Sequence, residues 1–462
     1  MAAEGRRALV RAGWVLSMGP QGDVRDGAVL LREGSIEAVD AFERLHRAFP
    51  EVEVIGDGTG VVTPGLINTH THLSEALVPG MGSELTLFEW GRSIVGPVGE
   101  HLTREMAREG AVLKSIEMLH SGVTCVNDMF VHANPGSFAS LGIVEGLRRA
   151  GLRGVVSFGA EDRVEGAAAM APMAVDDIVA EHEALADLAA SSPLMGFRLG
   201  IGTLLGQTDE LLARGVALCR THGWGVHTHL AEVREEVVQA SLRWGRRTVD
   251  HAKDVGLLEH PVIAGHGIWL TERDVATLAD HRVAIAHNPV ANMILGSGVC
   301  RVQRLRAAGI TVGIGTDGAA SNDSQNMLEA IKAAPLLQKV TALDPAVMSA
   351  RDTLELATRE GARAIGLEDA IGSLEPGKRA DLVRFAGTIE LATIHDPYQQ
   401  VVYCASPRSV ADVWVDGRRL LADGVPTELD EAAAIASCRP LAVELAERAG
   451  LVASGASWLR TT

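Results

Sequence analysis

The chain has 462 residues, 47% of them hydrophobic and 22% charged, so it can bury a sizeable core and is not a disordered protein. Acidic residues number 59 against 42 basic ones, and the formal charge of -17 argues against nucleic acid or an anionic membrane as the main partner and favours a small-molecule substrate. The five cysteines form no CxxC pair, and no run reaches the roughly 18 apolar residues of a membrane helix. We therefore expect a cytoplasmic protein without disulfide bonds or a structural zinc knuckle.

Strand-like runs occur near both ends of the chain, at residues 8–16, 28–39, 52–55, 381–385 and 410–415. The dipeptide Asp416-Gly417, which follows the last of these runs, is a tight-turn signal. Isolated hairpins are only marginally stable, so we expect the two ends to build one structure together. The prediction is a small β-sandwich lobe formed by residues 1–63 and 374–462, the second of which also carries a C-terminal helix.

Between these ends, strand-like runs alternate with helix-like runs. Apolar residues recur three and four positions apart in residues 104–120, 175–190 and 209–222. This alternation implies a parallel α/β sheet, and about eight repeats favour a closed (β/α)8 TIM barrel over residues 64–373. No GxGxxG motif follows the first strand, which counts against a dinucleotide-binding sheet.

Two histidines end the first strand of this region. Side chains two residues apart share a face of an extended strand, so His70 and His72 can reach one metal ion. Later apolar runs also end in groups that bind metals or move protons. These groups are His227, His229, Glu232, His266 and Asp317. A barrel gathers its chemistry at the carboxyl ends of its strands, so we expect these side chains to face one mouth.

The motifs resemble the amidohydrolase superfamily, in the branch that holds adenosine-type and S-adenosylhomocysteine deaminases and the triazine hydrolases (chlorohydrolases). The resemblance lies in PGLINTHTHL, HTHLAE, AGHGIWL, AHNPVANMILGSGV and GIGTDGAASNDSQNM. It extends over nearly the whole chain, from the amino-terminal strands to PGKRADLV. The resemblance implies a metal-dependent TIM barrel whose accessory lobe is built from both chain ends.

The resemblance also implies one divalent metal ion, zinc in the first place with iron as the alternative, held by His70, His72, His229 and Asp317. Strand periodicity alone leaves His227 and His229 both possible as ligands. The family pattern, with the ligand three residues before the glutamate, selects His229, and His227 is expected to pack inside the barrel. A second ion would need a bridging carboxylated lysine, and none of the five lysines stands at a convincing strand end.

The expected catalytic residues are Glu232, His266 and Asp317. Metal-bound hydroxide would attack an electron-poor ring carbon while Asp317 accepts a proton from water, Glu232 protonates a ring nitrogen and His266 orients the water or stabilises charge. The expected reaction is deamination of an amino-substituted N-heterocycle, such as a purine, nucleoside, pterin or pyrimidine-like compound. The alternatives are a triazine-type chlorohydrolase or N-alkylamine hydrolase, a cyclic amide hydrolase and, most remotely, a non-catalytic barrel that only binds.

Contacts with the substrate are expected from Trp90, His287, Arg163 and Asn322. Trp90 falls where S-adenosylhomocysteine-type deaminases carry a tryptophan against the substrate, and His287 stands at a strand end. The Gly-Pro-His-Ser stretch of that subgroup is replaced here by GTLLG at residues 202–206, which argues against S-adenosylhomocysteine itself. By resemblance we also expect a homo-oligomer of two or more subunits.

Overall fold

The structure, a computed structural model, describes residues 7–82, 84–167 and 170–451. Within these residues the strands are, in chain order, β1 (Arg7–Val15), β2 (Val24–Arg32), β3 (Ser35–Ala41), β4 (Glu53–Ile55), β5 (Val61–Pro64), β6 (Leu66–His72), β7 (Val123–Phe130), β8 (Arg153–Phe158), β9 (Met195–Ile201), β10 (Gly225–Leu230), β11 (Val262–His266), β12 (Ala284–His287), β13 (Val312–Ile314), β14 (Asp317–Gly318), β15 (Leu382–Phe385), β16 (Val410–Val415), β17 (Arg418–Ala422) and β18 (Val425–Pro426).

The helices of the same residues stand mostly between the strands of the central region. The α-helices are, in chain order, α1 (Phe42–Ala48), α2 (Leu87–Trp90), α3 (Gly96–Gly99), α4 (Arg104–His120), α5 (Leu141–Ala150), α6 (Val175–Ala190), α7 (Asp209–His222), α8 (Arg234–Trp244), α9 (Thr248–Asp254), α10 (Glu272–Asp280), α11 (Pro289–Ile294), α12 (Val302–Ala307), α13 (Met327–Ala342), α14 (Ala350–Leu356), α15 (Arg359–Ala364), α16 (Pro397–Gln399) and α17 (Glu431–Arg448). None of the described helices is both long enough and apolar enough to cross a bilayer.

Contacts divide the chain into two compact units. The first comprises the chain up to Asn68, Ile116–Cys125 and Asn326–Leu429. The second comprises Thr69–Ser115, Val126–Gln325 and the chain from Asp430 onward.

The first unit contains a sheet drawn from both ends of the chain, in the order β18-β17-β16-β15-β5-β1-β2-β3, with β4 also paired to β1. The N-terminal and C-terminal parts join where β5 and β15 pair antiparallel, with Thr63 opposite Val383. Successive residues of β1 are buried on opposite faces of the sheet: Leu9 packs in one apolar cluster and Val10 packs in another. The prediction of a lobe built from both chain ends is confirmed.

The second sheet has the order β13-β12-β11-β10-β9-β8-β7-β6-β14. Strands β8 to β13 pair parallel with their neighbours, and β14 pairs parallel with β6. Since β13 and β14 are successive pieces of one short segment, the strand that pairs with β12 also returns to β6. The sheet therefore closes on itself with eight strand positions, which confirms the predicted (β/α)8 barrel.

Helices alternate with these strands because the sequence supplies both an apolar face and capping groups. In α5, for example, Ile143, Val144 and Leu147 are buried on one face. The N-terminus of α7 is capped by the side chain of Thr208, which accepts a hydrogen bond from the backbone N–H of Leu211. The carboxyl ends of all eight barrel strands fall in the second unit, which therefore contains the end of the barrel where a site is expected.

Two glycines of β9 differ sharply in the space around them. A Cβ added to Gly200 would overlap the backbone of Phe158 on β8, and it would lie 2.5 Å from the carbonyl carbon. A Cβ added to Gly196, on the same strand, would meet nothing closer than Cγ2 of Val155 at 3.6 Å. Close approach of β8 and β9 near their carboxyl ends therefore requires glycine at position 200, whereas position 196 does not require it.

We expect Gly200→Ala to lower the free energy of unfolding by about 1–3 kcal/mol, because the methyl group forces the two strands apart. Gly196→Ala is the matched control and should change it by less than about 0.5 kcal/mol. Thermal unfolding of both variants measures the difference. Equal stability of the two variants would contradict this account of β9.

Candidate metal centre and active site

Four predicted metal ligands converge at the carboxyl ends of three barrel strands. His70 and His72 lie at the end of β6, His229 is the penultimate residue of β10, and Asp317 begins β14. One ligand atom from each of these four residues lies within 4.8 Å of the others. The structure thus brings together side chains as far apart in the sequence as His70 and Asp317, which are 247 positions apart.

The spacing of the donor atoms suits one shared cation. Nε2 of His72 lies 3.0 Å from Nε2 of His229. Oδ1 of Asp317 lies 3.3 Å from Nε2 of both His70 and His72. Bonds of about 2.1 Å from four ligands to one zinc ion place ligand atoms roughly 3–3.5 Å apart, so these separations fit a metal site.

The hydrogen bonds at Nδ1 of His72 and His229 show which ring nitrogens are free to bind a cation. Nδ1 of His72 lies 2.7 Å from the carbonyl oxygen of Met129, and Nδ1 of His229 lies 2.6 Å from that of Gly202. A carbonyl oxygen can only accept, so both Nδ1 atoms carry hydrogen and the neutral rings present lone pairs at Nε2. Two lone pairs facing each other repel unless a positive charge lies between them, so the donor set fits a metal ion.

The charges around the cluster also favour a cation. Burial raises the pKa of Asp317, but the charge of His266 and the contacts with His70 and His72 outweigh it and hold that pKa well below its usual range. Burial lowers the pKa of His72, yet the hydrogen bond and charge of Asp317, with the charge of Glu75, raise it to about 9. The surroundings therefore stabilise a positive charge at Nε2 of His72. A proton there can bridge only two of the donors, whereas a divalent ion could bind all four.

Glu232 and His266, two predicted catalytic residues, lie beside these donors. Nε2 of His266 is 3.4 Å from Oε2 of Glu232 and 3.8 Å from Oδ2 of Asp317. Its Nδ1 lies 2.8 Å from Oδ1 of Asn292, which orients the ring. Burial raises the pKa of Glu232 to about 7, with the charge of His266 opposing and that of Asp317 adding to the increase. A carboxyl group with this pKa can both give and take a proton near neutral pH.

Three of these strand ends carry strained backbone. Ala231, His266 and Asp317 have positive φ angles of 52°, 73° and 67°, which side chains other than glycine rarely adopt. The carboxylate of Glu236 holds one of them, because it accepts hydrogen bonds of 2.9 Å from the backbone N–H groups of Ala231 and Glu232. Strain of this kind persists where the surrounding structure fixes a functional geometry.

A pocket of about 500 Å³ opens beside the cluster. Its apolar wall includes Leu87, Val95 and Val131 together with Trp90, whose indole N–H donates to the carbonyl oxygen of Ala320 at 3.2 Å. Its charged lining residues are Glu75, Glu161, Glu232 and Asp317, and no lysine or arginine is among the described residues that line it. The pocket is therefore acidic wherever these groups are ionised.

The other predicted substrate contacts lie outside this lining. Arg163 pairs with Glu165 at 2.6 Å. The amide of Asn322 donates to the carbonyl oxygen of Thr316 at 2.7 Å, so it supports the loop before Asp317. His287 is fully buried, and neither of its ring nitrogens has a hydrogen-bond partner among the described residues. Of the four predicted contacts, Trp90 alone lines the pocket in the described part of the chain.

Sequence reasoning missed two carboxylates of the pocket. Glu75 accepts a hydrogen bond from the backbone N–H of Ala320 at 2.8 Å, and burial raises its pKa to about 7. Glu161 accepts hydrogen bonds from the backbone N–H and hydroxyl of Thr203 at 2.9 and 2.7 Å, and burial raises its pKa to about 7 as well. The position of Glu75 three residues after His72 was an available signal, whereas no local pattern marks Glu161.

Comparison with known proteins gives the same architecture and kind of site. Residues 61–420 match the amidohydrolase family. The 5'-deoxyadenosine deaminase of Methanothermobacter thermautotrophicus is 34% identical over 438 residues, which cover 93% of this chain and 98% of that protein. A 5-methylthioadenosine/S-adenosylhomocysteine deaminase of Desulforudis audaxviator is 37% identical over 413 residues, with 89% and 92% coverage. The crystal structure of an adenosine deaminase from Xanthomonas campestris with bound zinc superposes with a TM-score of 0.86 at 29% identity, covering 96% of this chain and 99% of that one.

The closed barrel, with three histidines and one aspartate gathered at the carboxyl ends of its strands, defines a barrel hydrolase with a metal-binding site. The chain belongs to the amidohydrolase family. Its chemistry is accordingly hydrolysis of a carbon–nitrogen bond.

Proposed function

We propose that this enzyme hydrolytically deaminates the amino-substituted purine ring of a nucleoside that carries no anionic group. The observation that carries the deamination is the position of Glu232, a buried carboxyl group with a pKa of about 7 that lies 3.4 Å from His266, whose ring in turn lies 3.8 Å from the metal donor Asp317. The relatives named as 5'-deoxyadenosine and 5-methylthioadenosine/S-adenosylhomocysteine deaminases support the purine nucleoside.

We infer one zinc ion, held by His70, His72, His229 and Asp317. The nitrogen-rich donor set suits zinc, and the similar Xanthomonas campestris enzyme was crystallised with zinc bound. When bound, such an ion lowers the pKa of a coordinated water molecule, so that a nucleophile is available at neutral pH.

The residues of the chain then supply the proton transfers. Asp317 is ionised and accepts a proton from the attacking water, and Oδ2 faces His266 at 3.8 Å. Glu232 gives its proton to a ring nitrogen beside the carbon under attack, which draws electrons away from that carbon. His266 lies within 4 Å of both carboxylates and stabilises the charge that develops between them. The exocyclic amine leaves as ammonia after taking a proton, and a carbonyl group replaces it on the ring.

The acidic lining of the pocket selects among nucleosides. Glu75 and Glu161 add two carboxyl groups to those of Glu232 and Asp317, and no lysine or arginine among the described lining residues balances them. A phosphate on the substrate would meet like charge and find no lysine or arginine among the described lining residues, whereas the ammonium group of S-adenosylhomocysteine could pair with these carboxylates. We therefore propose neutral 5'-substituted adenosines as substrates in preference to nucleotides, and the GTLLG segment at residues 202–206, rather than charge, argues against S-adenosylhomocysteine.

The deciding experiment is ammonia release from zinc-replete enzyme over a substrate panel. We expect 5'-deoxyadenosine and 5'-methylthioadenosine to give a kcat/KM at least about tenfold above that of adenosine monophosphate, because tenfold corresponds to about 1.4 kcal/mol of unfavourable charge interaction. A preference for adenosine monophosphate would reject the selection by charge. If no amino compound released ammonia while a chloro-triazine or a cyclic amide was turned over, deamination itself would be rejected.

Two substitutions separate the proton carrier from the metal ligand. Glu232→Gln should leave the zinc content near that of the unmodified enzyme and lower kcat at least about a hundredfold, because proton transfer alone is removed. Asp317→Asn should lower both zinc content and kcat, because the amide oxygen carries no charge. Elemental analysis and steady-state kinetics on both variants measure these outcomes, and unchanged turnover in Glu232→Gln would place the proton carrier elsewhere.

The preference for neutral nucleosides should also depend on pH. Burial raises the pKa of Glu161 to about 7, so this group is mostly neutral at pH 6 and mostly ionised at pH 8. The ratio of kcat/KM for 5'-deoxyadenosine to that for adenosine monophosphate cancels titrations that affect both substrates alike. We expect the ratio to rise about fivefold from pH 6 to pH 8, since a like-charge pair at 4 Å costs about 1 kcal/mol even in water.

Glu161→Gln is the control for this pH dependence. It keeps the shape of the side chain and removes the charge, so the rise of the ratio should become smaller. A ratio that falls with pH, or one that rises equally in Glu161→Gln, would show that Glu161 takes no part in the discrimination.

A further inference from the structure

His227 occupies a buried position directly behind one metal ligand. It lies two residues before His229 on β10, so both rings project to the inside of the barrel. Its Nε2 lies 2.7 Å from Nδ1 of His70, and its Nδ1 lies 3.1 Å from the hydroxyl of Ser157. That hydroxyl in turn donates to the carbonyl oxygen of Asp128 at 2.9 Å. The four groups form one hydrogen-bonded chain that begins at His70.

The three histidine ligands differ in how the other ring nitrogen is held. Carbonyl oxygens, which can only accept, fix Nδ1 of His72 and of His229 as hydrogen-bearing. The partner of His70 is an imidazole, which can accept or donate. The ring tautomer of His70 is therefore the only one of the three that a second side chain decides.

Two arrangements of hydrogens are possible along the chain. In the first, His70 donates to His227, His227 donates to Ser157 and Ser157 donates to Asp128, which makes three hydrogen bonds. In the second, Ser157 donates to His227 and His227 donates to His70, so the carbonyl oxygen of Asp128 loses its donor and two bonds remain. Only the first leaves a lone pair on Nε2 of His70, which faces Asp317 at 3.3 Å.

We propose that His227 is a positioning residue that holds His70 in the tautomer able to bind the metal ion, and that Ser157 and the carbonyl of Asp128 set the direction of the chain. The inference rests on the metal site proposed above. The amide of Asn127 confines the ring as well, because its nitrogen lies 3.4 Å from both ring nitrogens of His227. Hydrogen-bond partners of metal-ligating histidines are worth about 10–100-fold in metal affinity in other proteins.

The test compares the zinc dissociation constants of His227→Phe and His227→Gln by competition with a chromophoric chelator. Phenylalanine keeps the ring but cannot accept a hydrogen bond from His70, so zinc should bind about 10–100-fold more weakly. The amide oxygen of glutamine can accept that bond, so His227→Gln should recover most of the affinity. His182→Phe is the matched control, because His182 is also buried and lies outside the site, and its zinc affinity should not change.

Two further measurements separate positioning from packing. The absorption spectrum of the Co²⁺ form should shift in His227→Phe and return in His227→Gln, while thermal unfolding in EDTA reports the stability of the metal-free fold. Ser157→Ala removes the third member of the chain and should weaken zinc binding by a smaller factor, which keeps the test open if His227→Phe does not fold. Equal losses in His227→Phe and His227→Gln would overturn the proposal. Unchanged affinity and Co²⁺ spectrum in His227→Phe would also overturn it, as would unchanged affinity in Ser157→Ala if His227→Phe does not fold.

These outcomes are distinct from failure of the proposed function. If the unmodified chain releases no ammonia from any amino compound yet binds zinc, the role of His227 is still measured by zinc affinity. If the unmodified chain binds no divalent metal ion, the proposed metal-dependent deamination and the proposed role of His227 are both rejected, whatever the substrate panel shows.

Discussion

The need for one positive charge among four donors, three of which are buried, is the constraint on which the rest of this site depends. Nε2 of His72 and of His229 face each other at 3.0 Å, and Oδ1 of Asp317 lies 3.3 Å from two of the rings. Without a metal ion, a proton on His72, whose pKa is raised to about 9, must supply the positive charge that offsets the facing lone pair and the carboxylate. With a metal ion bound, the same lone pairs and carboxylate act as its ligands. The surrounding structure is organised to keep the donors in place until the ion binds.

The barrel provides that organisation through groups that are not ligands. The carbonyl oxygens of Met129 and Gly202, at the ends of β7 and β9, orient the rings of His72 and His229 on the adjacent strands β6 and β10. The close approach of β8 and β9 at Gly200 places the second of these strand ends, and the carboxylate of Glu236 fixes the strained turn that carries Glu232. A closed parallel sheet brings such groups from distant parts of the chain to one edge, because every strand ends at the same face.

Specificity and catalysis share the same electrostatics. Burial raises the pKa of Glu75, Glu161 and Glu232 to about 7, so the pocket gains negative charge over the neutral range. That property suits a proton carrier at Glu232, and it makes the same pocket unfavourable for an anionic substrate. The loop at residues 202–206, which replaces the Gly-Pro-His-Ser stretch of the related subgroup, takes part in this, because its Thr203 donates two hydrogen bonds to Glu161.

The sequence by itself determined the barrel and the lobe from both chain ends through local periodicity, and it indicated the residues of the metal cluster through short motifs that resemble the amidohydrolase pattern. Periodicity alone could not determine whether His227 or His229 turns toward the metal donors, what holds His227 behind His70, or which carboxylates line the pocket. Only the tertiary structure decided those points, since Ser157 lies 70 positions from His227 and Thr203 lies 42 from Glu161. Hydrogen bonds over such distances leave no periodic signal, because each depends on how two strands are placed and not on the spacing within either one.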